Sequence, residues 1–275
     1  MTPLYAGCLQ AREDMIDEIP LDIRQDIEAR LAQIEADDDV RFLWVVESGS
    51  RAWGFPSPDS DYDVRFVYVR RRDWYLQLVP GRDVIEQPIV DDIDLNGWDI
   101  RKTLGLLLKS NAVVSEWLSS PIRYRPDHPA AAKTATLADG LFDPRGLARH
   151  YASLGRTAAE RWLDGQDAVR AKKYFYALRP ALAIRALRRN PEHRPAMNLQ
   201  QLIVDAELPG ALSGVIDELV AAKRQTREQG LIDRIPALDA LIRDELGRAS
   251  EVPERLPTTA ALDAANAFFL ELVRE

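Results

Sequence analysis

The chain has 275 residues, 46% of them hydrophobic and 29% charged, with a net charge of −8. That length supports two ordinary domains or one large one with a sizeable core, and no apolar run approaches the roughly 20 residues of a membrane span. The acidic balance argues against a broad nucleic-acid footprint, because phosphate backbones are held by basic surface, while leaving room for a local one. The first residues, MTPLYAGCLQAREDMIDEIP, lack a basic stretch followed by an apolar one, so a cytoplasmic protein is expected. Cys8 is the single cysteine, which rules out an internal disulfide and a thiolate metal cluster.

In chain order, Ile23, Ile27, Leu31 and Ile34 recur at helical spacing, and residues 21–36 are predicted to form an amphipathic helix laid on a sheet. The acidic turn Asp37-Asp38-Asp39 closes it. Residues 42–46 are predicted as the first central strand and 62–69 as the second. Side chains two apart on a strand share a face, so Asp61, Asp63 and Arg65 are expected side by side. Tyr62, Val64, Phe66 and Tyr68 then face the core. Two carboxylates held together repel, and a hard divalent cation relieves them. Such an ion also takes phosphate oxygens, and the Gly49-Ser50 turn supplies a phosphate partner through a close backbone, its N–H and the Ser50 hydroxyl. The pattern points to a metal-nucleotide site. Gly54, Pro56, Pro58 and Asp59 are loop chemistry. Arg51 either reaches a phosphate or is an exposed loop arginine, and Trp53 and Phe55 are read as packing the loop rather than bordering a base.

Residues 84–89 and 93–95 read as two short strands of a hairpin, with Asp94 framed by Ile93 and Leu95. Asn96-Gly97 is expected to close the second. Helices are predicted over 98–109 and 113–118, and an edge strand at Ile122-Arg123-Tyr124. After Pro126 the composition shifts: five of the six tryptophans precede it, and the remainder is rich in Ala, Leu, Arg and Glu. The boundary between domains 1–125 and 126–275 is placed there, the second domain all-helical. Its helices are predicted from Pro144, capped by Asp143, to 163, then over 166–189 with a kink at Pro180, 199–206, 212–227, 235–246 and 259–273. Pro209, Gly230 and Pro253 punctuate them. Arg70-Arg71-Arg72 and Arg185-x-x-Arg188-Arg189 are compact basic runs, either local RNA contacts or solvated faces. His128, His150 and His193 share no ligand spacing and are assigned to no metal.

A strand, Gly-Ser, about ten residues of loop and Asp-x-Asp on a second strand resembles the signature of the polymerase-β-type nucleotidyltransferase superfamily. The longer strings GSRAWGFPSPDSDYDVRFVYV, LNGWDIRKTLGLLLKSN and EWLSSPIRY resemble a narrower group within it, the predicted nucleotidyltransferases associated with RNA ligases. The match runs from about Phe42 to Tyr124 and touches the chain again between Lys172 and Arg185. The resemblance implies an α+β fold, in which a small mixed β-sheet nucleotidyltransferase domain with flanking helices precedes an all-helical domain. It also implies a third catalytic carboxylate on a strand such as the second of that hairpin. Asp94 is assigned that place beside Asp61 and Asp63; Asp92, of the same strand parity, is the competing assignment. The implied cofactor is Mg²⁺, two ions held by Asp61, Asp63 and Asp94, with Mn²⁺ as a substitute. Gly49 and Ser50 then hold the triphosphate, and Arg51 and Arg65 join them as nucleotide-binding candidates. Helical domains of relatives close over the nucleotide, which adds Lys173 and Arg179, from KKYFYALRP, against a reading as surface ion pairs.

The activity so implied is transfer of a nucleoside monophosphate from an NTP, ATP first among them, to a hydroxyl with release of pyrophosphate. An RNA end suits the association with RNA ligases. A protein hydroxyl or a small molecule suits the acidic charge. A catalytically silent, antitoxin-like module of the same fold is the reading from another class, and the joint presence of Gly49, Ser50, Asp61 and Asp63 speaks against it.

Overall fold

A computed structural model describes residues 19–225 and 231–274; Cys8, Arg227 and Gly230 lie outside them. Pro20 leads into α1 (Leu21–Asp38), which buries Ile27, Leu31 and Ile34 and stops where Asp39 takes a left-handed backbone, φ +48°. Next come β1 (Val40–Ser48), the single turn α2 (Gly49–Ala52), β2 (Tyr62–Arg70), the turn α3 (Arg72–Tyr75), β3 (Val84–Glu86) and β4 (Ile93–Asp99). The strands form one mixed sheet in the order β1-β2-β4-β3. β1 pairs antiparallel with β2, β2 parallel with β4, and β4 antiparallel with β3. A parallel pair needs a crossover, which residues 71–92 supply.

β4 runs on through Asn96-Gly97, where the sequence predicts its end. Packing overrides turn chemistry: Gly97 is the ladder partner of Phe66, and a Cβ there would meet that ring at 2.0 Å. The ring lies over the backbone of the neighbouring strand. Helix α4 (Ile100–Leu107) therefore starts later than predicted, capped by Asp99, whose carboxylate accepts the Arg101 N–H at 2.8 Å. Asn111 caps α5 (Ala112–Leu118) through its side-chain oxygen. Residues 122–124 form no full strand; a single bridge joins Val46 to Arg123, and backbone bonds to Val45 and Glu47 cover the β1 edge.

Helix α6 (Pro129–Leu141) is an addition to the predicted elements. Beyond it come α7 (Pro144–Trp162), capped by Asp143, then β5 (Ala168–Arg170), α8 (Ala171–Arg189), α9 (Leu199–Asp205), α10 (Gly210–Gln225), β6 (Leu231–Asp233), α11 (Pro236–Gly247) and α12 (Thr259–Leu272). The second half is helical, with one addition, the two-stranded ribbon β5–β6. That pairing is why α8 begins at residue 171 rather than 166.

Three apolar clusters hold these parts together. Strand residues Val45, Val64, Phe66 and Tyr68 pack under α1. Leu43, Trp44, Val67 and Val69, on the opposite face, pack against α4, α5, α6 and α12. The third cluster lies within the helical half around α7 and α8, and Phe55 from the loop before β2 is buried in it, stacked on Phe175 at 4.1 Å. Burying one such ring contributes roughly 2 kcal/mol, enough to hold the loop on the helical half.

Candidate active site

The site forms where β1 ends and β2 and β4 begin. Ser48, Asp63 and Asp94 occupy one row of the sheet: Ser48 is paired with Asp63 across β1–β2, and Asp63 with Asp94 across β2–β4. In-register partners on neighbouring strands project to the same face, which aligns the two carboxylates without any further device. Arg65, two residues along β2, stands on that face as well. Its guanidinium donates to Asp63 Oδ1 at 3.0 Å and to Asp94 Oδ2 at 2.7 Å, and also to the Asp94 carbonyl at 2.9 Å.

Gly49 brings the phosphate turn against this pair. Its φ is +72°, a left-handed conformation that costs side-chain-bearing residues, and a Cβ there would fall 1.9 Å from Asp63 Oδ2. Ser50 follows in the buried turn α2, and its hydroxyl donates to Ser60 Oγ at 3.0 Å.

Burial raises the Asp63 carboxyl to about 6; Arg65 opposes the shift, the neighbouring charges of Asp61 and Asp94 add to it, and Lys172 opposes it. Beneath it lies Glu47, wholly buried at the end of β1. Burial pushes Glu47 up to about 8, partly countered by the Tyr124 hydroxyl, which donates to Oε2 at 2.6 Å. The Asp63 N–H donates to Glu47 Oε1 at 3.1 Å, so Glu47 fixes the backbone that carries Asp63. Nothing in the sequence reading singled out Glu47; its signal is a lone glutamate at the end of an apolar strand.

The other predicted residues sort as follows. Asp61 precedes β2 instead of lying on it, and its Oδ1 is 3.7 Å from Lys172 Nζ, the cation of the KKYFYALRP stretch that reaches the aspartates. Lys173 lies over the Trp162 ring at 3.9 Å. Arg179 is buried, 3.2 Å from Glu116 and stacked over Trp53 at 4.2 Å. Arg51 braces the loop, donating to the Ser60 and Asp61 carbonyls at 2.6 and 3.2 Å, with Tyr62 beneath its guanidinium. Asp92 sits with φ +59° in the turn before β4, outside the row that Asp94 shares with Asp63. Of the basic runs, Arg185 and Arg188 enclose buried Glu245 at 2.9 and 2.7 Å, and Arg70 and Arg71 pair with Asp38 and Asp39.

Among the described residues no three His, Cys, Asp or Glu side chains stand together as a ready-made metal cage. The Asp63–Asp94 pair still fits a cation, because the Arg65 guanidinium already occupies that role between them. Oxygen donors of this kind suit Mg²⁺ rather than a softer metal.

A small mixed sheet that aligns strand carboxylates against a left-handed Gly-Ser turn, backed by helices, defines a chain of the polymerase β class. The sequence model described as the RNA repair pathway DNA polymerase beta family (RlaP) matches residues 23–271. The uncharacterized protein YcgL of Bacillus subtilis (strain 168) is 40% identical over 234 residues, covering 85% of this chain and 89% of that protein. The chain belongs to the RNA repair pathway DNA polymerase beta family. No described helix is long and apolar enough to cross a membrane.

Proposed function

We propose that the protein transfers a nucleoside monophosphate from an NTP, ATP first, to a hydroxyl at an RNA end, releasing pyrophosphate. The observation that carries this reading is the alignment of Asp63 with Asp94 next to the left-handed Gly49. Membership of a family described by RNA repair favours RNA as the acceptor, and a cytoplasmic setting goes with both substrates.

In this reading Gly49 and Ser50 hold the β and γ phosphates and align the leaving pyrophosphate opposite the attacking hydroxyl. The hydroxyl oxygen bonds to the α-phosphorus, and the bond from that phosphorus to the α–β bridging oxygen breaks. The hydroxyl proton passes to Asp94, the base on the strand next to Asp63. Asp61, Asp63 and Asp94 would hold Mg²⁺, which when bound neutralises the triphosphate and the charge that develops on the leaving group. Arg65 then gives up the carboxylates it bridges, and Lys172 beside Asp61 lies within reach of a phosphate oxygen.

Incubation with α-³²P-labelled NTPs, Mg²⁺ and RNA, total protein or an aminoglycoside tests the reading. Label in RNA is expected. Label in another fraction reassigns the acceptor, and no label anywhere, with no NTP-dependent thermal shift, makes the chain a silent module.

A further inference from the structure

Behind Ser50 lies a chain of buried hydroxyls that ends on a lysine from the helical half. Ser50, Ser57 and Ser60 are each at most 6% exposed, and Lys223, near the end of α10, is 1% exposed. Ser60 Oγ lies 3.0 Å from both Ser50 Oγ and Ser57 Oγ, and it accepts the Ser57 N–H at 2.9 Å. Lys223 Nζ donates to the Phe55 carbonyl at 2.8 Å and to Ser57 Oγ at 3.3 Å, with Ser60 Oγ at 3.5 Å. One row of polar atoms thus runs from Lys223 through Ser57 and Ser60 to Ser50.

Proton counting gives this row a direction. A hydroxyl has one proton and two lone pairs, and an ammonium has three protons and can only donate. Here the Ser50 proton is directed inward, to Ser60. An anion at the Gly49-Ser50 turn needs that proton directed outward. Turning the hydroxyls about their C–O bonds achieves it: Lys223 donates to Ser57, Ser57 to Ser60, Ser60 to Ser50, and Ser50 to the anion. Each hydroxyl in the reversed row donates once, and the fixed cation at its inner end polarises every bond toward the ligand.

We propose that Lys223 is a positioning residue for the phosphate-binding Ser50, acting through Ser57 and Ser60, so that the helical half sets how strongly the Gly49-Ser50 turn holds a triphosphate. The inference rests on the nucleotide reading above and adds to it a residue 173 positions beyond Ser50 in the sequence. Neighbouring contacts give α10 a firm hold on the same loop: Arg224 donates to the Gly54 carbonyl at 2.7 Å, and Gln200 of α9 to the same oxygen at 3.1 Å.

The test is a double-mutant cycle read by calorimetric titration with a non-hydrolysable NTP and, separately, with the nucleoside monophosphate, which lacks the β and γ phosphates. Lys223→Met is expected to weaken triphosphate binding about tenfold, the scale of one charge-assisted hydrogen bond, and to leave monophosphate binding unchanged. In a Ser50→Ala background the same change is expected to have no further effect. Lys223→Arg, which keeps the charge and the donors, is expected to restore part of the loss. Should Lys223→Met fail to fold, Ser60→Ala breaks the row and leaves Lys223 on the Phe55 carbonyl; it is expected to couple to Ser50→Ala in the same way. Equal losses for triphosphate and monophosphate, or losses that add in the Ser50→Ala background, reduce Lys223 to a structural role and overturn the proposal. A wild-type protein that binds no triphosphate overturns the nucleotide reading itself, a separate result visible before any variant is made.

Discussion

Asp63 and Asp94 face each other across the parallel β2–β4 ladder, and a single guanidinium, that of Arg65, bonds to both. Two carboxylates from strands about thirty residues apart in sequence are thus brought together by backbone pairing and bridged by one cation. A pair of this kind binds a cation or keeps a proton; burial raises the Asp63 carboxyl to about 6, and the charge of Asp94 adds to the shift.

Asp94→Asn removes the proposed base and leaves the ladder intact. Turnover in the labelled-NTP assay is expected to fall by about a hundredfold or more, the usual worth of a positioned acid or base. Asp92→Asn, in the turn, is expected to stay near wild type. The reverse ranking would move the third carboxylate to Asp92.

Gly49→Ala introduces a Cβ 1.9 Å from Asp63 Oδ2 on a left-handed backbone. The backbone conformation alone costs about 1–2 kcal/mol. The melting temperature is expected to drop modestly, and transfer to be lost far beyond that drop, because Asp63 must shift away. A variant with normal transfer would show that the turn does not approach the carboxylate.

Glu47 gives the fold a pH dependence with a definite sign. Its ordinary value is 4.5, and burial raises it to about 8, so between those values the folded chain holds a proton that the unfolded chain has released. Stability from this group is complete below about 4.5 and is lost as pH rises through 8. Calorimetric melting of the metal-free protein should show the melting temperature falling across that interval, and Glu47→Gln, which mimics the neutral form, should flatten the fall. An equally steep fall in Glu47→Gln would place the titration elsewhere.

Arg179→Met separates two roles for a buried arginine. Removing it strands Glu116, which is left beside the Tyr151 hydroxyl, and breaks the 2.8 Å bond to the Met197 carbonyl. Loss of one partner of a buried ion pair costs roughly 3–5 kcal/mol. A lower melting temperature with unchanged triphosphate affinity is expected; the opposite pattern would make Arg179 a phosphate ligand.

The strand side of the site is legible because its periods are short. Asp63 and Arg65 share a face by simple alternation, and the glycine before Ser50 announces a close approach. Asp61 escapes that rule because β2 begins one residue later, at Tyr62. Contacts across long sequence separations leave no such mark. Glu47 is held by Tyr124, 77 residues away, and Lys223 reaches Ser57 across 166. Lys172 and Lys173 are indistinguishable in sequence, yet the start of α8 turns one to Asp61 and the other to Trp162. Gly97 read as a turn because its reason for being glycine, the Phe66 ring on the next strand, lies outside any local window. Helix α6 begins at the last residue of a Pro-Asp-His-Pro segment that reads as loop, and its stripe on the sheet is made mostly of alanine, a weak signal against polar neighbours.

Calorimetric titration of the wild-type protein with a non-hydrolysable NTP and Mg²⁺, set beside the Asp63→Asn/Asp94→Asn double variant, bears on the whole account. Saturable, Mg²⁺-dependent binding is predicted for the wild type. It should vanish in the double variant, while the circular dichroism spectrum of that variant stays that of the wild type. Wild-type binding that ignores Mg²⁺, or a double variant that binds as well as wild type, would contradict the claim that these two aspartates form the cation site beside the Gly49-Ser50 turn.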